Sequence, residues 1–385
     1  MWLWIPTILL ACVLVGSWVF CVLTIIAARR YLAVRPPALR EAEPISVLKP
    51  LHGLDEGLEQ NLVTFFEQDY PCFELLFAAR EASDPSLRLV EQLRLRYPAV
   101  PVRVFITGEP PYPNAKVWSL QLMMAEAAHD LLVMSDSDIR VTPSLLRTIA
   151  AEFQDPALGV ATCPYRAVPG QSIWSTLEAI GMNTEFWGGA LTARLVERGV
   201  RFAVGPTIAA RRRVLEAIGG WPRLSQYLAE DFVMGQFASE QGHGVIFSSY
   251  VIEHRIGSQP MTHNFAHRLR WNRSTRRSRP AGYTGQVFTN PIPIALLLWW
   301  AQPAWWPLLP VTLAIRGAAA WAVAGSVLHD PLCRRLWCLI PLQDLLSFCF
   351  WLAAFFGNTI VWRGRRYLLL PDGRFQLCEN PVDSN

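Results

Sequence analysis

Lysine is almost missing from this chain. Lys and Arg together number 35 in 385 residues, and only Lys49 and Lys116 are lysines. An arginine excess of that kind mostly reflects genome composition and says little about function. The placing of the two lysines says more. Charge of any sign is also sparse: Asp, Glu, Lys and Arg make up 17% of the residues, where a soluble domain carries about 25%. Cysteine is present at eight positions, but no CxxC or Cys/His ligand spacing occurs. The closest pair, Cys333 and Cys338, has four residues between its members. That spacing argues against structural zinc and a disulfide framework, and a reducing compartment is compatible. No GxGxxG and no GxxxxGK[ST] is present, which removes the usual dinucleotide and P-loop signals.

What replaces charge is apolar mass: 52% of residues, with a mean hydropathy of +0.22 and a net charge of +4. That balance excludes a disordered protein and argues against a wholly soluble one. The mass is unevenly spread. Trp2–Ala28 contains no charged residue over 27 positions, more than the roughly 20 that span a bilayer. Arg29, Arg30, Arg35 and Arg40 follow it instead of preceding it, so it reads as an anchor (residues 1–28) and not as a secretory signal. By the positive-inside rule the central residues then lie in the cytosol. A second apolar region, 291–362, is broken by Pro303, Pro307 and Pro310 and ends at Arg363, Arg365 and Arg366. An interfacial helix near 291–303 with spans near 305–328 and 336–361 returns a tail, 363–385, to the cytosol. Splitting 292–328 into two spans suits Arg334 and Arg335 better and reverses the tail. Arg316 and Asp344 inside these runs are costly facing lipid. They pair with each other, or Arg316 sits at an interface.

Between the apolar ends, residues 44–280 read as one α/β domain. Strands are expected at 45–48, 73–78, 102–106, 131–134 and 159–163, and helices at 58–66, 84–96, 117–128 and 143–153. Asp84-Pro85 is an N-cap followed by proline at the first helical position. Such alternation builds βαβ units and a mainly parallel sheet with helices on both faces. Ligands then bind beyond the carboxyl ends of the strands.

Four groups of residues sit where chemistry is expected. Asp136-Ser137-Asp138 directly follows the apolar strand 131–134. Two carboxylates there suit a hard cation shared with phosphate, although a polar capping turn gives the same pattern. Glu230-Asp231 sits at a helix start, as acids favoured by the helix dipole or as a general base. Arg270 and Trp271 lie in a run of six arginines over 268–279. That run suits a basic helix on anionic lipid, and it equally offers a guanidinium to a diphosphate. Asp84 explains itself as a cap, yet a carboxylate there also suits a uracil or ribose group.

In this order the motifs resemble those of the ceramide glucosyltransferase family, membrane-bound inverting transferases of GT-A fold with bacterial hopanoid-modifying relatives. Val47-Leu48-Lys49-Pro50-Leu51, Asp69-Tyr70-Pro71, Asn114-Ala115-Lys116, Asp136-Ser137-Asp138-Ile139-Arg140-Val141 and Gln226-Tyr227-Leu228-Ala229-Glu230-Asp231 carry the likeness, which covers about 44–280. The resemblance implies a cytosol-facing transferase moving a hexose from UDP-glucose to a lipid hydroxyl, and the compact single anchor with the arginine-rich usage fits a bacterial inner membrane. UDP-N-acetylglucosamine and a hopanoid of the bacteriohopanetetrol type are the alternative pair. It implies Asp231 as base with Glu230 in support, and Asp84, Lys116, Asp136, Arg270 and Trp271 at the donor. Asp136 and Asp138 would hold Mg2+ or Mn2+, and Lys49 would support the first strand end. The partners are a UDP-sugar, a membrane lipid and the bilayer, with no nucleic acid. Two positions depart from the family pattern. His267 stands at the first position of (Q/R)xxRW, and a second aspartate stands where animal relatives often have DSG. An inactive membrane scaffold or lipid-binding protein is the reading from another class, which the full set of acids argues against.

Overall fold

The computed structural model describes residues 4–362 and 365–378. Trp2, Leu3, Arg363, Gly364 and the end of the expected tail, 379–385, lie outside the described residues. The chain divides into two compact units. An α/β unit comprises Arg35–Val168 and Gly199–Gly257, and an apolar unit comprises the residues before Arg35, Pro169–Arg198 and the residues from Ser258 on. The division differs from a single 44–280 domain, because 169–198 and 258–280 group with the apolar segments.

The strands of the α/β unit are β1 (Ile45–Pro50), β2 (Phe73–Ala79), β3 (Val102–Ile106), β4 (Leu131–Ser135), β5 (Ile139–Arg140), β6 (Leu158–Thr162), β7 (Tyr165–Pro169), β8 (Thr207–Arg211), β9 (Gly244–Phe247) and β10 (Ile252–Gly257). Seven form one sheet in the order β3-β2-β1-β4-β8-β6-β9. The β1–β2, β2–β3, β1–β4 and β6–β9 pairs are parallel, and β8 runs antiparallel to both neighbours. β4 and β6 are buried at every residue, as strands covered on both faces must be, and this explains their unbroken apolar sequence. β3 lies at the edge and alternates between half-buried and exposed residues. After β3 the chain returns to the other side of β1 to make β4. The order therefore switches between β1 and β4, and the carboxyl ends of those two strands flank a natural crevice. Lys49 stands at the end of β1 and Ser135-Asp136 at the end of β4.

Local chemistry sets the helices that follow. Asp84 caps Pro85–Arg96 by accepting from the Ser86 N–H. Asn114 caps Ala115–Glu126 by accepting from the Val117 N–H, which starts that helix two residues earlier than expected. A smaller sheet, β5-β10-β7, crosses beside the main one and pairs His254 with Ile139.

In the apolar unit, helix Trp4–Leu32 packs on Trp187–Val196, Pro291–Ala301 and Leu308–Ala320. Among the described residues two helical stretches are long and apolar enough to cross a membrane, Ile5–Leu32 and Leu308–Val327. Trp337–Ala353 is shorter at 17 residues, about 25 Å at 1.5 Å per residue against a bilayer core of about 30 Å. The expected span 336–361 therefore ends early. Past Ala353 the chain turns through Gly357, whose φ is +83°, into a three-stranded sheet of Thr359–Trp362, Arg365–Leu369 and Phe375–Leu377. Arg273 donates to the Phe356 and Thr359 carbonyls, and Arg276 donates to Gly357 O and Asn358 Oδ1. These guanidiniums satisfy orphan carbonyls beyond a helix end. Arg316 and Asp344 do pair, through two hydrogen bonds of 2.9 Å, and Thr184 Oγ1 accepts a third from the guanidinium.

Candidate active site

The turn after β4 is fixed from every side. Ser135 Oγ lies 3.0 Å from Thr207 Oγ1 on β8, and the Asp136 N–H donates to the Pro206 carbonyl. Lys49 is wholly buried against the Phe65 ring, and its ammonium donates to the Asp136 carbonyl at 2.8 Å. Burial lowers its pKa to about 7, against the opposing pull of Asp136 and Asp138. The Ser137 hydroxyl donates to Asp55, and its carbonyl accepts from Asn61. Lys49 thus supports the backbone of the turn after β4, where the resemblance implied support of the first strand end.

Asp138 presents one oxygen to His254 Nε2 at 3.1 Å, and the Arg255 N–H donates to its carbonyl. Its other oxygen, Oδ1, is buried with no hydrogen-bond partner. A bare buried carboxylate oxygen is costly unless something positive meets it. Burial pushes the Asp138 pKa up, but His254, Lys49 and Lys116 together outweigh it and the net is downward. Asp136 moves the other way: burial and the Asp138 charge raise it against Lys116. Among the described residues no group of three or more His, Cys, Asp or Glu side chains is placed to hold a metal ion by itself. Asp136 and Asp138 would therefore need phosphate oxygens and water to complete a cation's shell, with the bare Asp138 Oδ1 the oxygen placed to meet it and His254 holding the other Asp138 oxygen. The residues present fit a divalent cation. Sequence reasoning missed His254. It lies 116 residues from Asp138, and only the β5–β10 register brings the two together.

Lys116 joins the turn after β4 to the Glu230-Asp231 pair. Its ammonium sits 2.8 Å from Asp136 Oδ1 and 3.5 Å from Glu230 Oε1. Burial would lower its pKa, but the two carboxylates reverse the sign and hold it charged. Glu230 and Asp231 open helix Glu230–Glu240 as its first-turn acids. The Asp231 pKa is pushed up to about 6, first by burial and then by the Glu230 charge, although Lys116 and the N–H groups of Phe232 and Gly205 oppose this. The Gly205 backbone touches this carboxylate: a β-carbon there would lie 2.6 Å from Asp231 Oδ2. Gly235, one turn further along, lies so close to Phe202 and Ala203 that any side chain would meet their backbone. Two glycines that nothing in the sequence singled out thus let the helix carrying Asp231 approach. Lys116, Asp136, Gly205, Glu230 and Asp231 line one small cavity.

Asp84 is engaged locally. Its oxygens accept from the Gly53 N–H at 3.0 Å and from the Ser86 hydroxyl at 2.6 Å. Burial opposes these bonds, yet they hold its pKa below the ordinary value. The carboxylate fixes the loop after β1. Arg270 and Trp271 lie on helix Met261–Ser278 in the apolar unit. There His267 pairs with Glu178 at 2.9 Å and places its ring 5.2 Å from that of Trp271. His267 is thereby given a structural partner.

The chain is 27% identical to ceramide glucosyltransferase 1 of Caenorhabditis elegans over 208 residues, 54% of this chain and 44% of that one. It spans less than half the length of that relative. A ceramide glucosyltransferase of Pyricularia oryzae is 22% identical over 88% of this chain and 87% of its own. A mannosyltransferase from Pyrobaculum calidifontis, solved with GDP-Man and Mn2+, superposes with a TM-score of 0.54. That match has 18% identity and covers 92% of this chain and 99% of that one. It shows the fold, the mixed α/β sheet of GT-A glycosyltransferases. The sequence profile of glycosyl transferase family 21 matches residues 8–375, nearly the whole chain, and the chain belongs to that family.

Proposed function

We propose that this protein is a membrane-embedded inverting glycosyltransferase that moves a hexose from a UDP-sugar, UDP-glucose first, to the hydroxyl of a ceramide-type lipid at the cytosolic face. The observation that carries the proposal is the meeting, at the switch point of the sheet, of Asp136 and Asp138 with Lys116, Glu230 and Asp231. One end of that group suits a diphosphate and the other a hydroxyl proton.

Asp136 and Asp138, with His254 beside them, would hold Mg2+ or Mn2+, which supplies charge neutralisation for the departing diphosphate. Lys116 keeps a positive charge at the same place throughout, and Lys49 keeps the turn from shifting. Asp84, Arg270 and Trp271 are assigned to the donor by resemblance alone. Asp231 takes the proton of the attacking hydroxyl as the bond to the anomeric carbon forms. Its raised pKa makes it a stronger base than an exposed aspartate. One base without a second nucleophile implies a single displacement with inversion.

A membrane setting is supported by helix Trp4–Leu32, whose Ile5, Leu9 and Val15 are more than half exposed apolar side chains. Arg273 and Arg276 tie the segment after the last helix to helix Met261–Ser278. The chain must therefore cross the bilayer an even number of times between them, which favours a hairpin of Leu308–Val327 and Trp337–Ala353. Placing that side in the cytosol follows from Arg29, Arg30, Arg35 and Arg40, and a bacterial inner membrane is the setting proposed.

The test is a membrane preparation assayed with labelled UDP-glucose and UDP-N-acetylglucosamine, with and without EDTA, followed by lipid extraction. Labelled glycosylceramide from UDP-glucose, lost with EDTA, is expected. A labelled hopanoid from UDP-N-acetylglucosamine would replace the proposed substrates, and no labelled lipid from either would sink the transferase reading.

A further inference from the structure

Asn114 is 1% exposed and lies beside the acid cluster, and its role as a helix cap accounts for only half of its side chain. The amide oxygen accepts from the Val117 N–H at 3.3 Å, which is the cap. The amide nitrogen points the other way. It donates to Glu230 Oε2 at 3.2 Å and to the Tyr227 carbonyl at 3.4 Å. The other Glu230 oxygen faces Lys116, two residues along the same helix turn.

We infer that Asn114 is a positioning residue for glycosyl transfer, acting through Glu230; the inference rests on the reading of Asp231 as the base. Asn114 and Lys116 hold one carboxylate by both oxygens from a single turn of helix Ala115–Glu126. That carboxylate opens helix Glu230–Glu240, and Asp231 is its next residue. Clamping Glu230 therefore sets where the Asp231 backbone starts. The Asn114 bond to Tyr227 O holds the segment leading into the same helix. Lys116 carries the clamp on to Asp136, so donor side and base side share one rigid element. With the amide donor gone, a buried Glu230 oxygen loses its partner and the carboxylate is free to turn. Displacements of about 1 Å at a reacting centre cost on the order of 100-fold in rate.

Capping and clamping predict different rankings. As caps, Asn, Asp and Ser are near equals, and Ala is worse. As clamps, Ser and Ala both lack the amide donor, and Asp sets a second carboxylate against Glu230. The experiment compares N114S, N114A and N114D with wild type in steady-state UDP release from the donor, with and without acceptor lipid. N114S and N114D keep a good cap, so they report on the clamp in a folded protein. The expected result is a kcat reduced roughly tenfold in N114S and N114A and further in N114D, with donor KM changed less than about threefold. Wild-type kcat in N114S and N114D overturns the inference, and so does a loss confined to KM. UDP release by wild type without glycolipid would remove the acceptor assignment and leave this ranking standing. No UDP release by wild type from either donor would overturn both.

Discussion

In the proposed reaction Asp231 accepts a proton, and a carboxylate in that role is helped by everything that makes its charge uncomfortable, here burial and Glu230. With its pKa at about 6, the base form appears only as pH rises through that value. The rate should follow one deprotonation and fall to about a tenth of its plateau one unit below the midpoint. Glu230→Gln removes the second-largest cause of the shift, so the acid limb should move to lower pH while the plateau drops. A limb that stays put, or moves up, would show that Glu230 does not tune the base. The same shift carries a stability consequence. A raised folded-state pKa means that stability present at low pH is lost as Asp231 ionises. Asp231→Asn should therefore abolish turnover and raise the melting temperature above pH 7. Gly205 is the complementary case. Gly205→Ala drives a methyl against Asp231 Oδ2, so kcat should fall by an order of magnitude or more with donor KM little altered. Unchanged kcat in that variant would mean that the carboxylate has another place to sit.

The core elements were legible because their signals are local. Apolar runs marked β1, β2 and β4, Asp84-Pro85 opened its helix where expected, and Asp136 and Asp138 stood out at a strand end. His254 was illegible for the opposite reason: a lone histidine in a short strand has no local signature, and its meaning comes from pairing with Ile139 across the small sheet. Gly205 and Gly235 were hidden likewise, since close approach is a property of two distant segments. The last span was misjudged because an apolar run does not distinguish helix from strand. Gly357-Asn358 followed by Thr359-Ile360-Val361 was the available sign of a turn into β structure. The β5–β10 pairing makes its own prediction. His254→Ala should weaken Mn2+ binding in the presence of UDP by about 10–100-fold, read by calorimetric titration, because the imidazole flanks Asp138. Equal Mn2+ affinity in the variant would remove His254 from the cation's surroundings and leave it a strand residue.

At the scale of the molecule, the two lysines and the scattered acids divide by task. Both lysines serve the α/β unit, each against the turn after β4, where a compact ammonium fits. Three arginines of the apolar unit do structural work, Arg273 and Arg276 on carbonyls and Arg316 on Asp344. That last pair is wholly buried among apolar helices, with Arg316 at 2% exposure and Asp344 at 0%. Removing one partner leaves a bare charge and costs about 3–5 kcal/mol, whereas replacing both by apolar groups is often neutral. Asp344→Leu should therefore lower the melting temperature in detergent sharply. Arg316→Met combined with Asp344→Leu should recover most of that loss, since neither stranded charge remains. If the pair serves packing alone, the double variant should also keep its rate of lipid glycosylation. A double variant that melts like the parent yet transfers no sugar would place Arg316 and Asp344 on the path of the acceptor, where ionisable groups inside apolar helices are commonly found.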